Sequence, residues 1–229
     1  MSAHVVVLGG AGEVGEGIVR ILLANGCEVS VPSRSPQRLA ALAKRVGPTE
    51  RLALFDGDPG DAASAPGLAR SIAARAPINM MVASIGGWWA GPGLAELPLP
   101  TWQTIIDGSL TSHLTAAQAF LPHVEPGGQY LFINGGGSRH PVPGSGPICV
   151  AAAAQDMLMR VLAAEIQPER VLISALVLMT PIVSRSRPTG DAGWLSSDDV
   201  GRAILRLQAE PTEHGASLLM SGRDSLHAA

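Results

Sequence analysis

The stretch Leu8-Gly9-Gly10-Ala11-Gly12-Glu13-Val14-Gly15-Glu16-Gly17 constrains the fold of this chain more than any other. It follows an apolar run, His4 to Leu8, that reads as a buried strand. It precedes Ile18-Val19-Arg20-Ile21-Leu22-Leu23, which reads as a helix. A strand, a glycine-rich turn and a helix make a phosphate cradle. The glycines allow a tight turn and let the backbone approach a pyrophosphate, and the first helical N–H groups and the helix dipole stabilise its charge. The spacing fits G-x-G-x-x-G at Gly10, Gly12 and Gly15, and also G-x-x-G-x-x-G at Gly9, Gly12 and Gly15. Gly9, Gly12, Glu13, Val14 and Gly15 are the candidate diphosphate contacts.

A second strand, 28–32, ends where a dinucleotide-binding fold reads the adenosine ribose. An acidic residue there grips the 2′-hydroxyl of NAD. This chain has Ser33-Arg34-Ser35 instead, with Arg38 one helical turn on. A hydroxyl and a planar guanidinium suit the 2′-phosphate, so the expected cofactor is NADP. Residues 36–46 carry Leu39, Leu42 and Val46 at helical spacing. A third strand, 51–55, runs into Asp56-Gly57-Asp58-Pro59-Gly60-Asp61. Asp58 there either hydrogen-bonds the adenine amino group or caps a helix over 62–76; for Asp61 capping is the expected role.

A fourth strand, 78–83, exits through Ser84-Ile85-Gly86-Gly87 into a loop holding Trp88 and Trp89. A loop beyond a strand's carboxyl end lies where open α/β sheets bind ligands, so one indole is expected to wall a substrate pocket. A helix over 102–121, a strand at 129–133, a Pro- and Gly-rich loop through Pro147 and an alanine-rich helix over 150–166 follow. A strand at 170–178, a helix at 197–208 and a strand at 216–220 complete the chain. Alternation throughout predicts one α/β domain: a doubly wound parallel sheet of about seven strands with helices on both faces.

The 229 residues, 46% hydrophobic and 15% charged, suffice for one full-sized core. A net charge of −3 gives no electrostatic footprint for nucleic acid. Cys27 and Cys149 suggest no disulfide framework. The N-terminus lacks the basic region of a signal peptide, and no apolar run reads as long enough to span a membrane. The expected setting is cytoplasmic.

These pieces resemble the short-chain dehydrogenase/reductase family over essentially the whole chain. The resemblance rests on the glycine turn, Ser33-Arg34, Gly57-Asp58, and Ala83-Ser84-Ile85-Gly86 where the family has Asn-Asn-Ala-Gly. Trp102, Ala117-Gln118-Ala119-Phe120-Leu121-Pro122 and Arg160-Val161-Leu162-Ala163-Ala164-Glu165 extend it. It implies a single-domain Rossmann fold, with Ala83, Ser84, Ile85 and Gly86 beside the cofactor. It also implies that the Ile182 backbone N–H serves the nicotinamide carboxamide, with Ser184 near the family's Thr. The family's catalytic Asn, Ser, Tyr and Lys fall on Ser109, Gly135, Ile148 and Ala152. None survives: the only tyrosine is Tyr130, mid-strand, and no lysine lies beyond Lys44. The chain is thus identified as an atypical member.

A missing general acid slows hydride transfer without forbidding it, since positioning supplies much of the barrier reduction. Ser138, Arg139 and His140 follow the fifth strand. Ser138 and His140 are the candidate catalytic pair, His140 as proton donor near neutral pH and Arg139 as oxyanion partner; the alternative is a hydrogen-bonded loop that replaces nothing. His113, one turn past Ser109, is expected to pack or face a partner helix. Two functions follow: an NADPH-dependent reductase of an apolar or aromatic carbonyl, enone or quinone, or a non-catalytic NADP-binding sensor or assembly partner. The resemblance also implies a homodimer or homotetramer joined through the helices at 102–121 and 150–166.

Overall fold

Apolar runs too continuous for a one-sided sheet become strands covered on both faces. The computed structural model describes residues 2–223 and 225–228. Its strands are β1 (His4–Leu8), β2 (Glu28–Ser33), β3 (Leu52–Asp56), β4 (Ile78–Ala83), β5 (Val124–Gly135) and β6 (Val171–Leu178). Then come β7 (Ile182–Val183), β8 (Leu195–Ser196), β9 (Ser217–Gly222) and β10 (Ser225–Ala228). Eight of them form one sheet in the order β10-β9-β6-β5-β4-β1-β2-β3, while β7 and β8 pair separately. Winding reverses between β1 and β4, so the crevice for a ligand opens beyond their carboxyl ends.

The helices are α1 (Glu13–Ala24), α2 (Pro36–Val46), α3 (Ala65–Ala73), α4 (Leu99–Ile106), α5 (Ser112–Phe120), α6 (Gly146–Glu165) and α7 (Ser197–Ala209). Strand alternation sorts them onto two faces. Val5 and Val7 of β1 join a core with Ile18 and Leu22 of α1, Leu42 of α2 and Ile204 of α7. Val6 and Leu8 point the other way, into a core with Ile72 of α3, Phe120 of α5 and Met159 of α6. The expected single-domain α/β Rossmann architecture is therefore what the chain adopts.

Several details depart from the sequence expectations. The sheet has an eighth strand: β10 pairs antiparallel with β9 and finishes the edge. Short and mixed in polarity, it carries no strand signal of its own. The helix expected over 62–76 is shorter, because the Asp61 carboxylate holds Ser64 in a turn that precedes α3. The segment read as a loop through Pro147 ends sooner, since α6 starts at Gly146 and takes Pro147 into its first turn. Proline is tolerated there because that N–H has no helical partner. The helix expected over 102–121 is two helices joined by a widened turn, Asp107–Thr111, with i→i+5 geometry. Among the described residues one helix, α6, is after all long and apolar enough to cross a membrane by length and composition. Here it packs on β5 and β6, and its mid-helix Asp156 is ion-paired to Arg139 and Arg160.

Candidate functional site

The glycine turn folds back on itself at the carboxyl end of β1. Gly9 sits at φ +77°, and a Cβ on it would lie 2.0 Å from the Ser84 carbonyl oxygen. A Cβ on Gly15 would lie 2.2 Å from the Gly9 carbonyl oxygen. Only glycine permits this approach of turn to turn and of turn to the β4 exit. Gly12, with extended backbone, caps α1 and offers no side-chain hydrogen bond to the helix's first N–H groups. Those groups need an acceptor, and an anion is the natural one. Val14 is half-buried beside them. The Glu13 side chain accepts hydrogen bonds from Arg185 and from the Ser186 N–H.

At the ends of β2 and β3, Arg34 and Asp58 meet at 3.6 Å, with the Arg34 side chain 81% exposed. Ser33 Oγ accepts from the Ser35 N–H at 3.2 Å, and Asp58 Oδ1 accepts from the Gly60 N–H at 2.9 Å. Of the two roles open to Asp58, capping is not taken: it braces the Gly60 turn, and α3 starts at Ala65 behind Asp61 and Ser64. Arg38 is exposed on the first turn of α2.

Toward the other end of the crevice, Ala83 is buried, Ser84 and Ile85 are half-buried, and Gly86 is exposed. His113 packs inward, as expected. It is fully enclosed, stacks on Phe132 at 5.4 Å and donates from Nε2 to the Ile85 carbonyl at 3.1 Å. Burial drives its pKa down to about 4 despite that hydrogen bond, so the ring is neutral at pH 7. Ser109, set by the sequence resemblance against the family's Asn, lies in the widened turn. Its carbonyl accepts from the Gln155 side-chain amide at 2.7 Å. A widened turn shifts carbonyls out of the regular helical ladder, and Gln155 fills the opening. Nothing in the sequence reading singled out Gln155; the available signal was a polar pair, Gln155-Asp156, interrupting an alanine run.

Gly135, set by the sequence resemblance against the family's Ser, follows Asn134, whose amide donates to the Ala152 carbonyl at 2.8 Å. Ile148 and Ala152, which the sequence resemblance sets against the family's Tyr and Lys, lie on the first half of α6. Tyr130 cannot serve in their place. Its ring is fully enclosed in the core, its hydroxyl has no partner among the described residues, and burial pushes its pKa far above the ordinary phenol range. Ser138 donates to the Gly135 carbonyl at 2.9 Å, and His140 is exposed. Arg139 turns away from the crevice, since its guanidinium donates to Asp156 Oδ1 at 3.1 Å. Asp156 also accepts from Ser217 at 2.6 Å. An arginine so held is a brace rather than an oxyanion partner.

Trp88 is 62% exposed. Trp89 folds over its own loop, where a Cβ on Gly91 would meet the indole at 2.4 Å. The Gly91 N–H donates to the Gly144 carbonyl and joins this loop to the one before α6. Ile182 lies in β7, in register with Leu195 of β8.

The sequence profile of the family described as short chain dehydrogenase matches residues 3–186. Among solved structures, the chain is similar to a short-chain dehydrogenase/reductase from Serratia marcescens BCRC 10948. The identity is 21%, over 97% of this chain and 98% of that one, with a TM-score of 0.84. It is similar to a short chain oxidoreductase from Pseudomonas aeruginosa PAO1 containing an atypical catalytic center, at 23% identity over 99% and 98% with TM-score 0.84. It is also similar to ElxO with NADP bound, at 16% identity over 97% and 98% with TM-score 0.85. At such identities the likeness concerns the fold alone. No protein of curated function matches the chain by sequence.

Proposed function

The chain belongs to the short-chain dehydrogenase family, and on that footing we propose that it is an NADP(H)-dependent oxidoreductase that works without the Tyr–Lys pair. Its substrate is an apolar or aromatic small-molecule carbonyl, enone or quinone. The observation that carries the reading is the uncapped N-terminus of α1 on a turn only glycines can form, with Arg34 exposed at the ribose edge. The N–H groups from Glu13 to Gly15 hold the diphosphate, Arg34 and Ser33 the 2′-phosphate, and Asp58 the adenine amino group. The backbone from Ala83 to Gly86 lines the ribose side, and the Ile182 N–H meets the carboxamide. When bound, the nicotinamide supplies the hydride.

The substrate oxygen is served by Ser138, whose hydroxyl turns from the Gly135 carbonyl to donate, with His140 replenishing its proton. A lost general acid costs about 10²–10⁴-fold in rate. Substrates whose product anion is delocalised therefore fit this site better than simple ketones. The test is NADPH consumption against ketones, enones, quinones and imines. Binding of NADPH with no turnover across the panel rejects the enzyme.

A second reading, a non-catalytic NADP-binding protein, is favoured by one contact. Gln155 occupies the Ser109 carbonyl with an amide that carries no titratable proton. The same assay separates the two. We also place a second copy of the chain on the face of α5 and α6, where Leu114, Val150, Met157 and Val161 are exposed; sedimentation as a monomer rejects this.

A further inference from the structure

The segment between β7 and β8 is tied down at its base and at its tip. At the base, the two strands pair and Thr180 Oγ1 accepts from the Leu195 N–H at 3.1 Å. The tip is a turn closed by reciprocal backbone hydrogen bonds between Ser184 and Arg187. It rests on the first turn of α1. Arg185 Nη2 donates to Glu13 Oε1 at 2.6 Å, and the Ser186 N–H donates to Glu13 Oε2 at 2.9 Å. Arg185 Nε lies 3.7 Å from Glu16 Oε2, a buried oxygen with no hydrogen-bond partner among the described residues. A cavity of about 340 Å³ beside the tip is lined by Glu13, Glu16, Arg20, Arg185 and Asp198 among others.

A carboxylate at a helix N-terminus is ordinarily favourable. At this terminus it stands where a diphosphate is to be received, and like charges oppose each other at that range. Burial raises the Glu13 carboxyl, but the Ser186 N–H, the Ser184 hydroxyl and Arg185 outweigh it and hold the pKa below the ordinary range. Glu13 is ionised at neutral pH, and Arg185 is its counter-charge. A diphosphate and Glu13 thus seek the same guanidinium, which binds oxyanions through paired donors.

Resting on the dinucleotide reading above, we propose that Glu13 and Arg185 form an electrostatic gate. Glu13 holds Arg185 and the 184–187 turn against α1, and an arriving diphosphate competes with Glu13 for the guanidinium. Arg185 then serves the cofactor, while Glu13 is a positioning residue that sets how tightly the strap stays down without ligand. A contact that merely braced the loop would act differently: removing either partner would loosen the site alike. A gate gives the two substitutions opposite signs.

The test is calorimetric titration of the full chain with NADP, together with hydrogen exchange across 182–190 in the ligand-free protein. Arg185→Ala leaves Glu13 bare and weakens NADP about tenfold, on the scale of coupled charge pairs. Arg185→Lys retains most of the affinity. Glu13→Gln tightens NADP about threefold and speeds exchange at the Ser186 amide, and the double variant recovers the part of the Arg185→Ala loss that comes from the bare Glu13 charge. Weaker binding in Glu13→Gln, matching Arg185→Ala, overturns the gate. So do unchanged affinity in Arg185→Ala and unchanged exchange in Glu13→Gln. Wild-type protein that binds neither NADP nor NAD overturns the dinucleotide reading instead, a result the variants cannot mimic.

Discussion

His113 sets a pH limit on the fold that follows from its surroundings. The imidazole is enclosed between α5 and the sheet, with Nε2 on the Ile85 carbonyl and Nδ1 without a partner among the described residues. Burial lowers its pKa from 6.5 to about 4. As pH falls through 6.5 the unfolded chain takes up this proton, while the folded chain does not until pH nears 4. Stability from this group is therefore full above that window, is lost within it, and levels off below. From about pH 8 to about pH 5 the loss is about 2 kcal/mol. His113→Gln keeps an amide that can donate to Ile85 but removes the titration. Its stability at about pH 8 is lower, yet its further loss on acidification is smaller by about 2 kcal/mol. Urea unfolding of both proteins across this range measures the difference. His4, whose pKa burial also lowers, is present in both and cancels. Parallel pH dependences in the two proteins would refute the argument.

Three other substitutions probe the site. Gly15→Ala drives a Cβ to 2.2 Å from the Gly9 carbonyl oxygen. It should cost about 1–3 kcal/mol in thermal or urea unfolding and abolish NADP binding by calorimetry; an unchanged melting temperature contradicts it. Arg34→Ala should weaken NADP about tenfold more than NAD, the scale of a charged hydrogen bond. Equal losses remove Arg34 from the phosphate site. Ile148→Tyr combined with Ala152→Lys should raise NADPH-dependent ketone reduction, and an unchanged rate means that the substrate lies in a pose unlike the family's.

The strand, glycine turn and helix proposed to receive the cofactor were legible because they are local: the three are contiguous, and the turn needs only glycines at fixed spacing. Ser33 and Arg34 were placed at the next strand end by counting from that turn, and β2 does end at Ser33. The other half was not legible. Gln155 reaches Ser109 across 46 residues, through a widened turn that no residue in Asp107–Thr111 announces. Arg139 looked available in sequence and is committed to Asp156. One indole of the Trp88-Trp89 pair was expected to wall a pocket; Trp89 lies on Gly91 and Trp88 is exposed.

The amino-acid order alone determined the alternation of strands and helices, the winding of the sheet and the anion-ready turn, because each depends on short-range periodicity and steric freedom. It also fixed, by composition, that no Tyr–Lys pair exists on α6. Tertiary structure alone decided where the charges go. Arg185 lies 172 residues from Glu13, and they meet only because the crossovers bring the β7–β8 segment over the start of α1. Charged and amide side chains are long and take whatever partner the packed backbone offers, so their pairing follows the fold and is not written in any single stretch of chain.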